Sequence, residues 1–195
     1  MSVSQLLQVM KYMSPGIPDE ELDNLLLMLS EGQVSRGEHL VTAGQNFRFI
    51  NFITKGAARM YHLHKNGNET NIILGVENDF VQDYESLIKG KTSDFYVQAT
   101  EDSSFIHIDY NKFEELLGST KHWEHCGRMI NQFVLLGVFA SAQSFMFLTP
   151  QERYLKLLRE QPRLIQRFSQ EHIASYLGIK RESLSRIKNR VARRF

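Results

Sequence analysis

The chain has 195 residues, of which 42% are hydrophobic, and this composition excludes a disordered or fibrous protein and allows one large domain or two small ones. The net charge of +1 hides an asymmetry, because residues 150–195 carry 12 Lys or Arg against 4 Asp or Glu while the rest carries 11 against 18. This distribution indicates a basic, nucleic-acid-facing end on a mildly acidic body; a solvated pair of basic helices would show the same charge.

Cysteine usage and the N-terminus bear on the cellular compartment. The single cysteine, Cys126, excludes an intrachain disulfide framework and a Cys-ligated iron–sulfur cluster. Residues 1–11 lack the charged and apolar regions of a signal peptide. We therefore expect a cytoplasmic protein.

The first predicted helix begins after Pro18, where Asp19, Glu20 and Glu21 supply acids for a first turn. Its inward-facing residues are predicted to be Leu22, Leu25, Leu26 and Leu29.

After Gly32, turn residues recur every 8–12 positions, which predicts a β-sandwich or barrel. Asn66-Gly67 predicts a type I′ hairpin turn between strands 57–64 and 69–75. Segments 95–100 and 104–109 are predicted to form a second strand pair. The β region is expected to end near Asp109, and residues 112–117 to be helical.

A long helix is predicted from Lys121 to Leu148. Its small residues form one stripe, and large residues occupy neighbouring positions: Gly137, Ala140, Ser144; Phe133, Leu136, Phe139, Phe145. An apolar surface this broad needs two packing partners, the β region and a second copy related by a two-fold axis, so we expect a homodimer through residues 121–148. The alternative is a helix buried wholly within a monomer.

Residues 129–148 contain no charged side chain over about the length of a membrane span. Five polar residues dilute this segment: Asn131, Gln132, Ser141, Gln143 and Ser144. We therefore expect a helix buried between a domain and a partner subunit, and no membrane contact.

Residues 169–187 have the pattern of two short helices joined by a sharp turn. Ser169 is suited to cap the first helix, and Ala174 is small where the second helix crosses over it. Gly178 lies at the turn. The inward positions are predicted to be Ile173, Leu177, Ile179, Leu184 and Ile187.

The outer face of the second helix combines long bidentate donors with one carboxylate. It comprises Lys180, Arg181, Glu182, Ser185, Arg186 and Asn189. Arg suits guanine and Glu suits the cytosine amino group, so the segment is predicted to be a DNA-binding helix-turn-helix. A helical hairpin with no role in DNA binding would not need this outer face.

The segment Gly178–Arg186 resembles the recognition-helix motif of the Crp/Fnr family, the cyclic-AMP receptor protein and its relatives. The β region matches that family in order and spacing at Arg36-Gly37-Glu38, Gly44, Lys55-Gly56, Gly67, Asp79-Phe80 and residues 99–102. The resemblance spans residues 22–190.

The resemblance implies an α+β protein of three parts. Residues 1–118 would form a cyclic-nucleotide-binding-type β-roll (a double-stranded β-helix or jelly roll), residues 119–148 a dimerisation helix, and residues 149–195 the helix-turn-helix domain. By position, the base-reading residues are Arg181, Glu182 and Arg186. The residues expected to contact the DNA backbone are Ser169, Gln170, Lys180, Ser185, Lys188, Asn189 and Arg190.

Two features depart from the family. Lys180 stands where a Ser or Thr cap is common, so capping of the recognition helix is expected to be weaker. The family's wing strands are expected to be missing or reduced to residues 191–195. Arg190, Arg193 and Arg194 would then contact phosphates in their place.

The ligand chemistry also departs from the family, whose phosphate cassette reads Gly-Glu and then Arg-Ser or Arg-Thr about ten residues on. The matching positions are Gln82-Asp83 and Ser93-Asp94, so the arginine is absent and Asp94 brings a carboxylate to the phosphate site. We therefore predict that cyclic AMP is not the ligand. An unknown small-molecule effector is expected in a pocket formed by Met60, His62, Ile72, Gln82, Asp83, Ser93 and Asp94.

A metal site is the alternative for this domain. Gly56, His62, His64 and Glu69 have the spacing of the first metal motif of cupin enzymes, with His62, His64 and Glu69 as the ligands. His-x-His also arises on exposed strand faces without a ligand, so no metal is assigned.

The favoured function is therefore a non-enzymatic, cytoplasmic transcription regulator. It would be a homodimer that reads palindromic double-stranded DNA through helix 180–190, with RNA polymerase as a further candidate partner. The alternatives are a ligand-binding signalling module without DNA function and a cupin-like metal-binding protein. No catalytic residues are assigned.

Overall fold

The structure is a computed structural model that describes residues 2–192. Its helices are α1 (Ser2–Met13), α2 (Asp19–Leu26), α3 (Tyr84–Lys89), α4 (Tyr110–Leu117), α5 (Lys121–Phe147), α6 (Pro150–Glu160), α7 (Pro162–Arg167), α8 (Gln170–Tyr176) and α9 (Arg181–Ala192). Its strands are β1 (Leu29–Val34), β2 (His39–Val41), β3 (Phe49–Lys55), β4 (Ala58–Leu63), β5 (Glu69–Gly75), β6 (Tyr96–Ala99) and β7 (Ser103–Asp109).

The strands form two antiparallel sheets, in the orders β1-β7-β3 and β2-β6-β4-β5. The core between the sheets takes residues from both of them, including Ile53, Met60, Val97 and Phe105. The predicted pairing of segments 95–100 and 104–109 is wrong, because β6 pairs with β2 and β4 while β7 pairs with β1 and β3. The short link between them carries the chain from one sheet to the other.

The hairpin of β4 and β5 is confirmed, with Ala58 opposite Gly75 and Leu63 opposite Glu69. Its turn is not the predicted type I′ turn, which needs a positive φ at both central residues. Gly67 has φ of +83°, but Asn66 does not have a positive φ. The Gly67 N–H donates to the His64 carbonyl at 2.9 Å, so the loop is a type I turn closed by a left-handed glycine.

A second core joins the N-terminal helices to the β3–β7 sheet. It surrounds the fully buried Trp123 and Phe52 and includes Met10 of α1 and Leu25 of α2. The helix predicted after Pro18 is confirmed, but Leu26 is exposed and Leu29 begins β1. Helix α1 was not predicted from the sequence.

Helix α5 has the predicted extent, and its two halves lie in different environments. Trp123, Cys126 and Gly127 are buried against the β-roll and α4, whereas positions 131–143 are exposed all round. By length and composition, α5 is the one helix within residues 2–192 that is apolar enough to cross a membrane. The expected burial of this segment therefore does not occur in the single chain.

Two opposite faces of α5 differ in what they meet. The stripe of Gly137, Ala140 and Ser144 faces α6 and Tyr176 across a cavity of about 220 Å³. At 100° per residue, Leu135, Phe139 and Met146 lie roughly on the opposite face, and all three are more than half exposed. The stripe therefore faces the chain's own C-terminal helices across this space without packing against them, and Leu135, Phe139 and Met146 face away from those helices.

Candidate nucleic-acid interface

The turn between α8 and α9 ends α8 with a left-handed glycine. Gly178 has φ of +68°, the Ile179 N–H donates to the Ala174 carbonyl at 2.9 Å, and the Gly178 N–H donates to the Ser175 carbonyl at 3.0 Å. These two bonds form a Schellman motif, which satisfies carbonyls at the end of α8. A Cβ on Gly178 would also come within 3.0 Å of the Phe145 ring. A side chain here would therefore be strained by the backbone conformation and crowded by the Phe145 ring.

The inner faces of α8 and α9 share one small apolar core. Ile173, Ala174, Leu177 and Leu184 are each less than 5% exposed. Helices α6 and α7 complete this core with Tyr154, Leu157 and Leu164. The predicted inward positions are thus buried, except that Ile179 and Ile187 are partly exposed.

The opposite face of α9 points to solvent. Arg181, Glu182 and Arg186, the predicted base-reading residues, are all exposed on it. The Arg186 guanidinium donates to a neighbouring hydroxyl, that of Ser183, at 3.2 Å. A face with two guanidinium groups and one carboxylate can donate to guanine and accept from cytosine.

The predicted backbone-contacting residues surround that face. Ser169 caps α8, because its hydroxyl accepts from the His172 N–H at 3.1 Å. Most of the set is exposed and Lys188 is half-buried: Ser169, Gln170, Lys180, Ser185, Lys188, Asn189 and Arg190. Arg190 also bonds to Gln151 of α6 at 3.2 Å, and Arg193 and Arg194 lie outside the described residues.

Helix α8 packs against strand β5 of the β-roll, a contact that the sequence did not predict. The Ser175 hydroxyl accepts from the Asn71 backbone N–H and donates to the Glu69 carbonyl, each at 2.9 Å. The Asn71 side-chain amide donates to the His172 carbonyl at 3.3 Å. Leu74 and Val76 of the β-roll join the apolar core of the helix-turn-helix unit.

Ion pairs between α7 and the β-roll extend the contact that α8 makes with β5. Arg167 of α7 pairs with Glu77 at 3.2 Å and also with Glu101, and Arg163 pairs with Glu77. Burial acts to raise the pKa of the Glu77 carboxyl, but hydrogen bonds from Arg167 and the Gly56 N–H outweigh it and leave the pKa below its ordinary value. Glu77 is therefore held as an anion between two arginines.

A third link joins the long helix to the turn. Arg153 of α6 donates to the Leu148 carbonyl at 2.9 Å and to the Leu177 carbonyl at 3.0 Å. Its guanidinium lies 4.8 Å from the centre of the Phe145 ring. Arg153 therefore ties the end of α5 to the end of α8.

The residues predicted to form the effector pocket lie in different parts of the β-roll. Asp83 caps α3 by accepting from the Ser86 N–H, and its other oxygen accepts from the Ser93 hydroxyl at 2.9 Å. Met60 is buried in the inter-sheet core. Asp94 is exposed and pairs with Lys91 at 3.2 Å, and its carbonyl lies 3.3 Å from the His62 ring.

Ile72 and Gln82 lie apart from that group. Ile72 lines a cavity between β5 and α7, and Gln82 lines a different cavity beside α5. The seven residues of the predicted pocket therefore do not face one common space.

The alternative metal ligands do not converge either. Glu69 is opposite Leu63 rather than His64 and pairs with Arg59 at 2.5 Å. His64 bonds to the Thr70 hydroxyl at 2.8 Å. Within residues 2–192, no three His, Cys, Asp or Glu side chains group closely enough to hold a metal ion.

This architecture is similar to that of known proteins. Residues 31–120 match the family model of the cyclic nucleotide-binding domain. No curated protein sequence matches the chain. Among solved structures, FixK2 from Bradyrhizobium japonicum is similar with a TM-score of 0.73 and 18% identity, over 85% of this chain and 85% of that one.

Two further structures show the same fold. The c-di-GMP-responsive global regulator CLP of Xanthomonas campestris has a TM-score of 0.65 and 15% identity, over 90% of this chain and 92% of that one. The catabolite activator protein of Thermus thermophilus has a TM-score of 0.57 and 18% identity, over 92% of this chain and 86% of that one. Residues 31–120 thus resemble cyclic nucleotide-binding domains, and the chain as a whole has the fold of the Crp/Fnr-type transcription regulators.

Proposed function

We propose that the protein is a cytoplasmic, homodimeric transcription regulator that reads a two-fold-symmetric DNA site through α9. The observation that carries this proposal is the division of α9 into two faces. Leu184 and Val191 are buried in the helix-turn-helix core, which leaves Arg181, Glu182 and Arg186 exposed together on the other face. A helix held in this way can enter a major groove without unfolding.

The chemistry of that face supports the assigned roles. Arg181 and Arg186 would each donate two hydrogen bonds to a guanine, and Glu182 would accept from a cytosine amino group. The exposed N-terminus of α8, with Ser169 and Gln170, and the exposed Lys180 would contact phosphates and fix the position of α9. No catalytic role is proposed for any residue.

The outward apolar face of α5 supports dimerisation. Leu135, Phe139 and Met146 are 55%, 57% and 75% exposed, which is costly in water. The polar residues Asn131, Gln132 and Gln143 interrupt the segment and are poorly suited to lipid. We therefore infer that a second copy of α5, rather than a membrane, covers this face.

The chemistry of the cassette argues against cyclic AMP. The Ser93 hydroxyl, at the position where the family has arginine, bonds to the Asp83 carboxylate, and Asp94 adds a second negative charge nearby. A cyclic phosphate placed there would meet two carboxylates and no arginine. We propose that the domain keeps the β-roll architecture without its cyclic-phosphate chemistry.

Selection of bound duplexes from a random DNA pool tests the proposed function. The expected result is an enriched palindrome with half-sites about 34 Å apart, one helical turn of DNA. An asymmetric enriched site would contradict the dimer, and a pool with no enriched sequence would contradict DNA reading and favour a signalling module.

A further inference from the structure

An apolar cavity lies beside the long helix, away from the Asp83–Ser93 hydrogen bond of the cassette. It has a volume of about 520 Å³, is open to solvent on one side, and is lined by α1, α4, the first half of α5 and the β3–β7 sheet. Its apolar walls include Met10, Ile50, Phe80, Ile108, Phe113 and Ile130. Binding sites for small organic molecules in proteins have this size and this predominance of apolar walls.

One buried polar atom in the wall has no hydrogen-bond partner within residues 2–192. The Oε1 atom of Gln82 is inaccessible to solvent and accepts no hydrogen bond there. Proteins rarely leave a buried carbonyl oxygen in this state. Other wall polar groups are engaged, since the Tyr84 hydroxyl donates to Asn131 at 2.9 Å and Tyr110 bonds to Glu114. Gln82 lines the cavity, so a small turn of its side chain would present this unused acceptor to an occupant.

The charges around the cavity disfavour an anionic occupant. The charged lining residues Glu114, Glu124 and Arg128 are all exposed, which places them at the mouth with a net negative charge. Burial and the nearby Glu114 raise the pKa of Tyr110 to about 12, so its phenol stays neutral at physiological pH. The interior therefore presents apolar surface and one neutral amide.

We propose that this cavity binds an uncharged, largely apolar small molecule that carries one hydroxyl or comparable donor, bonded to Gln82. The α5 part of the wall runs through Asn131 and Val134, immediately before the outward apolar face that begins at Leu135. An occupant would therefore contact the start of the dimerisation segment. The binding site does not depend on DNA recognition, whereas this regulatory consequence rests on the proposed function.

A binding assay on the full chain without DNA tests the site. The probe is N-phenyl-1-naphthylamine, an uncharged aromatic amine whose fluorescence rises in apolar surroundings. The competitors are two isomers of equal size, 1-decanol, which has a donor, and methyl nonyl ether, which has none. We expect decanol to displace the probe at a concentration roughly tenfold lower than the ether, the worth of about one hydrogen bond.

Two substitutions locate the bound probe. Val134→Trp fills the cavity and is expected to weaken probe binding about tenfold or more, whereas Val138→Trp, one turn on and outside the cavity lining, should change it by less than about twofold. Gln82→Leu should bring decanol and the ether within about twofold of each other.

Three outcomes would overturn the proposal. Equal effects of the two tryptophans would show that the probe lies on the exposed helix face. A Gln82→Leu variant that keeps the preference for decanol would remove the assigned acceptor. Absence of probe binding would show that the cavity holds only water. Because DNA is not present, none of these outcomes bears on the proposed DNA recognition.

Discussion

The Ser175 hydroxyl lies 2.9 Å from the backbone nitrogen of Asn71, and it donates in turn to the Glu69 carbonyl at the same distance. Strand β5 is the edge strand of its sheet, so these backbone groups have no neighbouring strand to pair with. A side chain of α8 therefore satisfies part of the open edge of the β-roll. The helix-turn-helix unit and the β-roll consequently share hydrogen bonds as well as an apolar core.

Substitution of Ser175 by alanine should loosen this contact. The Asn71 N–H would lose its partner in a part-buried place, and the free energy of unfolding should fall by about 1–3 kcal/mol. Urea denaturation measures the loss, and hydrogen exchange should show faster exchange of the Asn71 amide. Ser185→Ala, a serine exposed on α9, is the control and should change stability by less than about 0.5 kcal/mol. Equal stabilities of the two variants would contradict the importance of this bond.

The same contact should weaken in mild acid because of His172. Burial lowers the pKa of its ring, and the charge of Arg59 acts in the same direction. The buried Nδ1 has no hydrogen-bond partner in the part of the chain that the structure describes. Because the folded pKa is below the unfolded value of 6.5, the unfolded state binds the proton more tightly, and stability declines as pH falls below 6.5.

The variant His172→Gln should remove one proton from this dependence. Below pH 6.5, the slope of unfolding free energy against pH should fall by at most about 1.4 kcal/mol per pH unit. His39 and His107, whose pKa values are also lowered by burial, keep the remaining slope. Above about pH 7 variant and wild type should run parallel. A variant slope equal to that of the wild type in the acid range would refute the assignment.

The helix-turn-helix unit of α8 and α9 was predictable from the sequence because the residues that specify it lie close together in the chain. Ala174, Gly178 and Leu184 occupy positions fixed by one helix crossing another, and all three behave as the pattern predicted. The long helix was equally predictable, because Thr120 caps its first turn and Thr149 caps α6, the helix that follows it.

The remaining features depend on contacts between residues far apart in the chain. Ser175 and Asn71 are polar residues without any periodic pattern, so their pairing follows only from the docking of α8 on β5. The placement of β6 and β7 in different sheets also depends on distant contacts. A short link between two strands is equally compatible with a hairpin, so the sequence alone could not distinguish the two. Gln82 was assigned to the cassette by alignment, yet it lines the cavity beside α5.

The outward face of α5 predicts a variant that separates the subunits. Leu135→Glu would place a charge in the middle of the apolar face and should convert the proposed dimer to a monomer, because burying an unpaired carboxylate is costly. Light scattering on a sizing column measures the mass. Leu27→Glu, at a leucine just after the end of α2 that is 84% exposed, is the matched control and should remain dimeric. A Leu135→Glu protein of dimeric mass would show that another surface holds the subunits together.

Cyclic AMP should not bind. A ligand that binds only the folded state raises the melting temperature according to its concentration over Kd, so 1,000-fold excess over Kd would add about 4 kcal/mol. Because the Asp83–Ser93 bond occupies the cassette and no arginine stands there, we expect no change in Tm at about millimolar cyclic AMP, a concentration far above the Kd of a functional site. A cyclic-AMP-binding regulator run in parallel is the positive control. A concentration-dependent rise in Tm would contradict the prediction.

Substitution of the proposed base-contacting arginines, Arg181 and Arg186, tests DNA recognition most directly. Arg181→Ala and Arg186→Ala each remove a bidentate donor from the exposed face of α9 and should each weaken binding to the selected site by about 1–3 kcal/mol. Each loss should relax preference at one base position in both half-sites, since a two-fold dimer uses the same residue twice. Arg159→Ala removes an equal charge from the exposed face of α6, so it controls for a merely electrostatic effect. If all three variants weaken binding alike and leave the sequence preference unchanged, these arginines contact phosphates and the bases are read by other groups.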